Sequence, residues 1–210
     1  MALTALDQVI CNFDRALRIS SGALSSSKQS SPAKNECADL NGADRQTASR
    51  LMRINHTGEV CAQALYQGQA ITSRNQKIRA IMQQSAEDEA DHLVWCEQRI
   101  KELGSHTSYL NPIFYLGSLS IGALAGVLGD KINLGFVAAT EDGVVNHLED
   151  HLEKLPKTDS KSRAILEAMK EDEGQHSDKA MQNGGYDYPP VIRVIMRAAA
   201  KVMTKSTYWI

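Results

Sequence analysis

The chain has 210 residues, 42% of them hydrophobic, and 23 Lys and Arg set against 25 Asp and Glu give a formal net charge of −2. That length and apolar content suit one compact domain with a sizeable core. The near-neutral charge, with no interleaving of basic and aromatic residues, excludes nucleic acid as a partner. Four scattered cysteines, Cys11, Cys37, Cys61 and Cys96, form no C-x-x-C pair, so a reducing compartment is expected rather than a disulfide framework.

Residues 3–19 space Leu3, Leu6, Ile10, Phe13 and Leu17 at threes and fours, which predicts an amphipathic helix packed on the outside of the domain. Asp7 and Asp14 interrupt any apolar run there, which argues against a secretory signal or presequence and for a chain facing the cytosol. Residues 20–43 are rich in Ser, with Gly, Pro, Lys and Asn, and are expected to form a flexible linker that adds nothing to the core. Two helices should follow, one from Asp44 as its cap to Ser73 and one from Asn75 to Leu103. No residue between Thr107 and Gly129 is charged. Further helices are predicted over 130–155 and 158–182, the last closed by Asn183-Gly184-Gly185. After Pro189-Pro190, Arg193, Arg197, Lys201 and Lys205 recur every fourth residue along a final helix, and Tyr208 and Trp209 close the chain as interface anchors would. The alternative is a packed final helix with a solvated basic edge.

Within these helices, Glu89-Ala90-Asp91-His92 and Glu173-Gly174-Gln175-His176 each set a carboxylate and an imidazole three residues apart, on one helical face. Both pairs lie inside apolar stripes: Ile78, Met82, Cys96 and Ile100 flank the first, and Leu166, Met169 and Ala180 the second. Glu59 and Glu141 sit in similar stripes. Four core-facing carboxylates would repel one another by about 4 kcal/mol per close pair at an effective dielectric near 20, so cations are needed to keep them ionised. One Glu from each of two helices and a Glu-x-x-His from each of two others is the ligand set of a di-iron or di-manganese four-helix bundle. The spacing agrees. Glu59 and Glu89 are 30 residues apart and Glu141 and Glu173 are 32 apart, so antiparallel hairpins holding them at one level must turn near Arg74 and Lys157, where the chain reads as turns. The fold expected is all-α: a four-helix bundle of two hairpins joined by a long hydrophobic crossover, with extra N- and C-terminal helices. The uncharged run from Pro112 to Gly129 is long enough to imitate a transmembrane helix, but one span would put Glu59, Glu89 and His92 on the opposite side from Glu141, Glu173 and His176. It must be the crossover, buried against the hairpins or lying in a membrane interface, and Ser118, Gly122 and Gly126 favour close helix contact.

Carboxylate-rich ligation with two imidazoles suits iron or manganese better than zinc or copper, and iron is the expected metal. Glu89 and Glu173 are expected to bridge, His92 and His176 to cap one metal each, and Glu59 and Glu141 to be terminal, which leaves room for dioxygen. Asp88 and Asp172 are placed to accept the other imidazole N–H from the opposite helix, or else are surface residues. His56, His147 and His151 are rival ligands. His147 falls about 120° around the helix from Glu141, so it reads as a pocket residue or one supporting a ligand from outside. Tyr66 reads as a core aromatic that could line the pocket.

The runs Arg53-Ile54-Asn55-His56-Thr57-Gly58-Glu59-Val60, Glu87-Asp88-Glu89-Ala90-Asp91-His92-Leu93, Thr140-Glu141-Asp142 and Glu171-Asp172-Glu173-Gly174-Gln175-His176 resemble the di-iron demethoxyubiquinone hydroxylase family. The most specific piece is Asn-His-Thr-Gly-Glu, and the resemblance covers residues 45–210. It places the family's ligands on Glu59, Glu89, His92, Glu141, Glu173 and His176. It implies a ferritin-like hydroxylase domain over 44–210 that holds two iron ions and hydroxylates the ring of a demethoxyubiquinol with O2 and electrons originating in NADH. It also implies a polyprenyl quinol substrate, other ubiquinone-biosynthesis proteins as partners, and a peripheral position on the cytoplasmic face of a bacterial inner membrane. No G-x-G-x-x-G fingerprint is present, so NADH would bind otherwise or act through the quinone. From the residues alone, a ferritin-like ferroxidase or a non-enzymatic helical scaffold on a membrane stays open.

Overall fold

The computed structural model describes residues 14–19, 29–33 and 39–210, and every regular element in them is a helix. Residues 14–19 form a short helical segment, α1. Then come α2 (Gly42–Thr72), α3 (Gln76–Glu102), α4 (Asn111–Val127), α5 (Asp130–Lys154), α6 (Ser160–Gln182) and α7 (Pro190–Thr207). The hairpins α2–α3 and α5–α6 face each other as a four-helix bundle, and α4 lies along α2.

Each boundary has a chemical cause. Asn41, not Asp44, caps α2: its side chain accepts the Asp44 N–H at 2.9 Å, while Asp44 stands in the first turn, where a carboxylate suits the helix dipole. Asn75 caps α3 through the Lys77 N–H, and Asp159 caps α6 through the Ser162 N–H. The Asp159 carboxylate also receives the Arg99 guanidinium from α3 at 2.7 Å, both residues being buried, which ties the two hairpins together at that end. Gly184, at φ 95°, stops α6; its N–H reaches the Met181 carbonyl, and the Gly185 N–H reaches that of Ala180.

The apolar core has three clusters, two of which form the layers inside the bundle while the third, Ile19, Val60, Ala64, Leu93 and Tyr115, lies between the first hairpin, α1 and α4. Leu51, Met52, Trp95, Ile100, Leu148, Leu166 and Met169 fill one end of the bundle, and Tyr66, Ile78, Met82, Leu134, Val137 and Ala180 the other. In α2, α3, α5 and α6 the predicted ligands stand between them.

The crossover is two-faced. Towards α2 it presents Tyr115, Gly122, Ala125 and Gly126, all buried. A Cβ on Gly122 would fall on the Leu65 backbone, and one on Gly126 on the Thr72 side chain, so α4 approaches α2 more closely than any larger residue allows. The Thr72 hydroxyl donates to the Ala123 carbonyl at 2.9 Å, and the Tyr115 hydroxyl donates to Gln67. The opposite face leaves Ile113, Leu116, Leu124, Val127 and Leu128 each more than 60% exposed. Burial against the hairpin and apolar exposure, the two alternatives for this run, are each true of one face. No helix among the described residues is long and apolar enough to cross a membrane.

Two expectations need correction. The linker does contribute to the core: Leu40 is buried in the layer around Trp95, and Ala33 packs against it. A Ser-rich average conceals single apolar anchors. Linker positions 20–28 and 34–38, and residues 1–13, lie outside the described residues. Arg193 does not join a free basic stripe, because its guanidinium binds Asp142 at 2.8 Å and Asp187 at 2.7 Å. At the end of the chain Arg50 on α2 lies over the rings of Tyr208 (5.0 Å) and Trp209 (4.5 Å), while Trp209 stays 69% exposed.

Candidate metal centre

Glu59 on α2, Glu89 and His92 on α3, Glu141 on α5, and Glu173 and His176 on α6 meet at mid-height in the bundle, all buried. Helical spacing explains the pairs, since three residues turn each imidazole back over its own carboxylate. His92 Nδ1 lies 3.1 Å from Glu89 Oε2, 3.2 Å from Glu173 Oε1 and 3.7 Å from Glu59 Oε2. His176 Nδ1 lies 3.1 Å from Glu89 Oε1 and 3.3 Å from Glu173 Oε2. Glu89 and Glu173 therefore each turn one oxygen to either imidazole. Ligand atoms of Glu59, Glu89, His92 and Glu173 all lie within 4.8 Å of one another.

The outer nitrogens point away to carboxylates on the facing hairpin. His92 Nε2 is 3.0 Å from Asp172 Oδ2, and His176 Nε2 is 3.6 Å from Asp88 Oδ2. Asp172 and Asp88 thus cross between α3 and α6. Glu141 is held differently: the Tyr66 hydroxyl donates to its Oε1 at 2.5 Å. Around the outside, the Asp142 carboxylate accepts from Ser177 Oγ at 2.6 Å and from Arg193, which links the residues following Glu141 and His176 to α7.

Burial pushes Glu59 well above the usual carboxylate range against the pull of His92, and the charges of Glu89 and Glu173 add to the rise. Burial raises Glu141 too, with Glu173 and Glu89 adding and Tyr66 opposing. Burial would also raise Glu89, but His176 and His92 outweigh it and hold that carboxyl below its ordinary value. For the imidazoles burial works downward and loses: Asp172, Glu173, Glu59 and Glu89 lift His92 well above 6.5, and Glu173 and Glu89 bring His176 to about 11. Protons on the imidazoles offset the crowded charge in the metal-free chain.

The donor set fits divalent metal. Glu59 Oε2 and Glu141 Oε2 are buried without hydrogen-bond partners, a costly arrangement unless something positive fills the space between them. Oxygen donors with two imidazoles are the chemistry of iron or manganese.

The rival histidines stand apart. His56 Nδ1 faces the Asn111 amide at 3.4 Å, and His151 Nδ1 lies 2.8 Å from Asn55 Oδ1. Burial lowers His56 to about 4 and His151 to about 2, so both stay neutral. His147 lies against His151, with ring centroids 3.9 Å apart and the planes tilted by 56°. The bond from Tyr66 to Glu141 was missed by sequence reasoning, although Tyr66 lies on the Glu59 stripe: periodicity finds the face and cannot see a hydroxyl's partner across 75 residues. A narrow apolar cleft between α2 and α5, lined by Ala62, Leu65, Tyr66, Phe136, Val137 and Thr140, ends at Glu141.

Residues 46–207 match the family described as ubiquinone biosynthesis protein COQ7. A 3-demethoxyubiquinol 3-hydroxylase of Nitrosococcus oceani is 53% identical over 209 residues, covering 99% of this chain and 98% of its own. Its namesakes from Stutzerimonas stutzeri and Pseudomonas fluorescens are 55% identical over 204 residues (96% of this chain, 94% of the relative) and 57% identical over 171 (81% and 80%).

Proposed function

The chain belongs to the COQ7 family of ubiquinone biosynthesis proteins, and from that membership we infer that it is a 3-demethoxyubiquinol 3-hydroxylase. The observation that carries this reading is a buried cluster of four carboxylates and two imidazoles in a chain so close to hydroxylases of that name. The test is product analysis: a polyprenyl demethoxyubiquinol incubated with the enzyme, a reductant and 18O2 should gain one labelled hydroxyl. Iron oxidation with no ring product would return the protein to the ferroxidase reading.

In our assignment Glu59, Glu89, His92, Glu141, Glu173 and His176 hold two iron ions per chain, which when bound would supply dioxygen activation for ring hydroxylation. Glu89 and Glu173 would bridge, because each divides its oxygens between the two imidazoles. Asp172 and Asp88 keep the proton on Nε2 of His92 and His176, which turns each Nδ1 lone pair inward. Tyr66 occupies Glu141 Oε1 and leaves Oε2 free. The apolar layers on either side exclude water, and the crevice between α2 and α5, about 10 Å³ in volume, would have to widen before a quinol ring could reach Glu141 by that side. The electrons, originating in NADH, would arrive through the quinone or from a nucleotide held without a G-x-G-x-x-G fingerprint. Asp172→Asn is expected to keep the fold and lower metal affinity by about 10- to 100-fold. Isothermal titration under nitrogen measures this, and wild-type affinity would demote Asp172 to a surface charge.

A substrate with an isoprenoid tail resides in the bilayer, so the enzyme must dock there as a peripheral protein. The exposed face of α4 supports this, as does α7, where Val191, Ile195 and Val202 form an exposed apolar stripe flanked by Arg197, Lys201 and Lys205. Each of those three cations would add about 1 kcal/mol on anionic lipid. Changing all three to Gln should weaken sedimentation with anionic liposomes and lower turnover of long-tailed quinol more than of a short-tailed analogue. Unchanged sedimentation would leave α4 as the sole docking face.

A further inference from the structure

Three of the assigned ligands, Glu59, Glu89 and His92, lie on the α2–α3 hairpin, and the N-terminal segment touches the chain beside each of them. The Arg15 guanidinium donates to the Ala86 carbonyl at 2.8 Å, one turn before Glu89. Gln63, one turn beyond Glu59, donates to the same carbonyl at 2.6 Å. The Gln29 backbone N–H donates to Asp91 Oδ2 at 3.1 Å, beside His92. Ile19, 1% exposed, packs with Val60 and Leu93, the residues that follow Glu59 and His92. Ala86 lies inside α3, so its carbonyl also serves the helix ladder, and the two side chains are added donors that tie this turn to its neighbours. The position of that turn is then set by α2 and the N-terminal segment together, not by the α3 ladder alone. Reaching this oxygen draws a cation into partial burial, which lowers the Arg15 pKa, with Glu87 and Tyr115 opposing.

We propose that the N-terminal segment is a working part of the metal centre: Arg15 is a positioning residue that holds, through the Ala86 carbonyl, the α3 turn bearing Glu89 and His92. The proposal rests on the metal assignment above. It gives residues 14–19 and 29–33, which carry none of the ligands, the task of keeping the first hairpin's donors in register with Glu173 across the bundle.

The test compares full-length wild type, Arg15→Ala, Arg15→Lys and, as a stability control in the core far from α1, Ile165→Val. Two quantities are read: amide hydrogen exchange over residues 86–93 in metal-free protein, and the rate at which loaded protein gives iron up to a chelator. Arg15→Ala should speed exchange in that turn selectively and release iron about 10-fold faster, whereas Arg15→Lys, which keeps a donor, should stay within about 3-fold of wild type. Ile165→Val should leave both near wild type whatever it does to the melting temperature. The proposal is overturned if Arg15→Ala matches wild type, if its release rate rises no more than that of Ile165→Val, or if Arg15→Lys is as fast as Arg15→Ala. A wild type that takes up no iron ends the metal assignment and this proposal together, and is told apart from failure of the brace alone by the wild-type stoichiometry.

Discussion

Glu173→Ala should give a folded helical protein that no longer binds two irons and no longer hydroxylates. Glu173 is the α6 carboxylate whose two oxygens divide between His92 and His176, at 3.2 and 3.3 Å. Its loss therefore removes a donor from both metal positions at once, and no neighbour can replace it. Glu141 is committed to Tyr66, and Asp172 points outward to His92 Nε2. The fold should survive, because Glu173 is one of the charges that hold Glu59 and Glu141 above the usual carboxylate range, and removing it relieves repulsion in the metal-free bundle. Iron per chain, circular dichroism and turnover measured on the same preparation separate the two effects. Glu171→Ala, exposed on the same helix, is the control and should keep both irons. Two irons and full activity in Glu173→Ala would show the ligand assignment to be wrong.

Much of this was legible in the sequence, for a physical reason. A ligand set that must meet at one level fixes where both hairpins turn, and an apolar stripe interrupted by carboxylates can be read by eye. What was not legible depends on contacts between distant segments or on choices between neighbouring residues of similar chemistry. Asn41 and Asp44 are both good caps three residues apart, and the sequence does not say which side chain will accept the N–H. In α4 nearly every residue is apolar, so no periodicity marks its buried face; the small residues Ser118, Gly122 and Gly126 were the signal, and the two glycines do face α2. Arg193 belongs to a regular basic series on its own helix, but its partner Asp142 lies 51 residues back, where spacing arguments do not reach. Leu40 and Ile19 are single anchors in segments whose average composition is polar or short, and only the packed structure shows that they are buried.

Metal uptake should be strongly pH-dependent, and the sign follows from the protons that occupy the metal-free site. His176 is raised from 6.5 to about 11, and His92 is raised as well, because the carboxylates around them outweigh the burial that would lower both. A group raised in the folded state stabilises that state fully below its unfolded pKa and loses the effect as pH climbs through the folded one. The metal-free protein should therefore become less stable between pH 6.5 and the alkaline range. The raised carboxyls of Glu59 and Glu141 act in the same direction from about 4.5 upward. Metal requires the unprotonated forms. If each imidazole sheds one proton on loading, the apparent affinity for the metal pair rises by about 100-fold per pH unit across neutrality. Anaerobic Fe(II) titrations at pH 6.5, 7.0 and 7.5 measure that slope, and a weakly buffered sample should acidify by two protons for each pair bound. Asp172→Asn removes the carboxylate that lifts His92 most and should bring the slope down towards one proton. A pH-independent affinity would mean that both imidazoles are already neutral before metal arrives, and that the crowded carboxylates are neutralised in some other way.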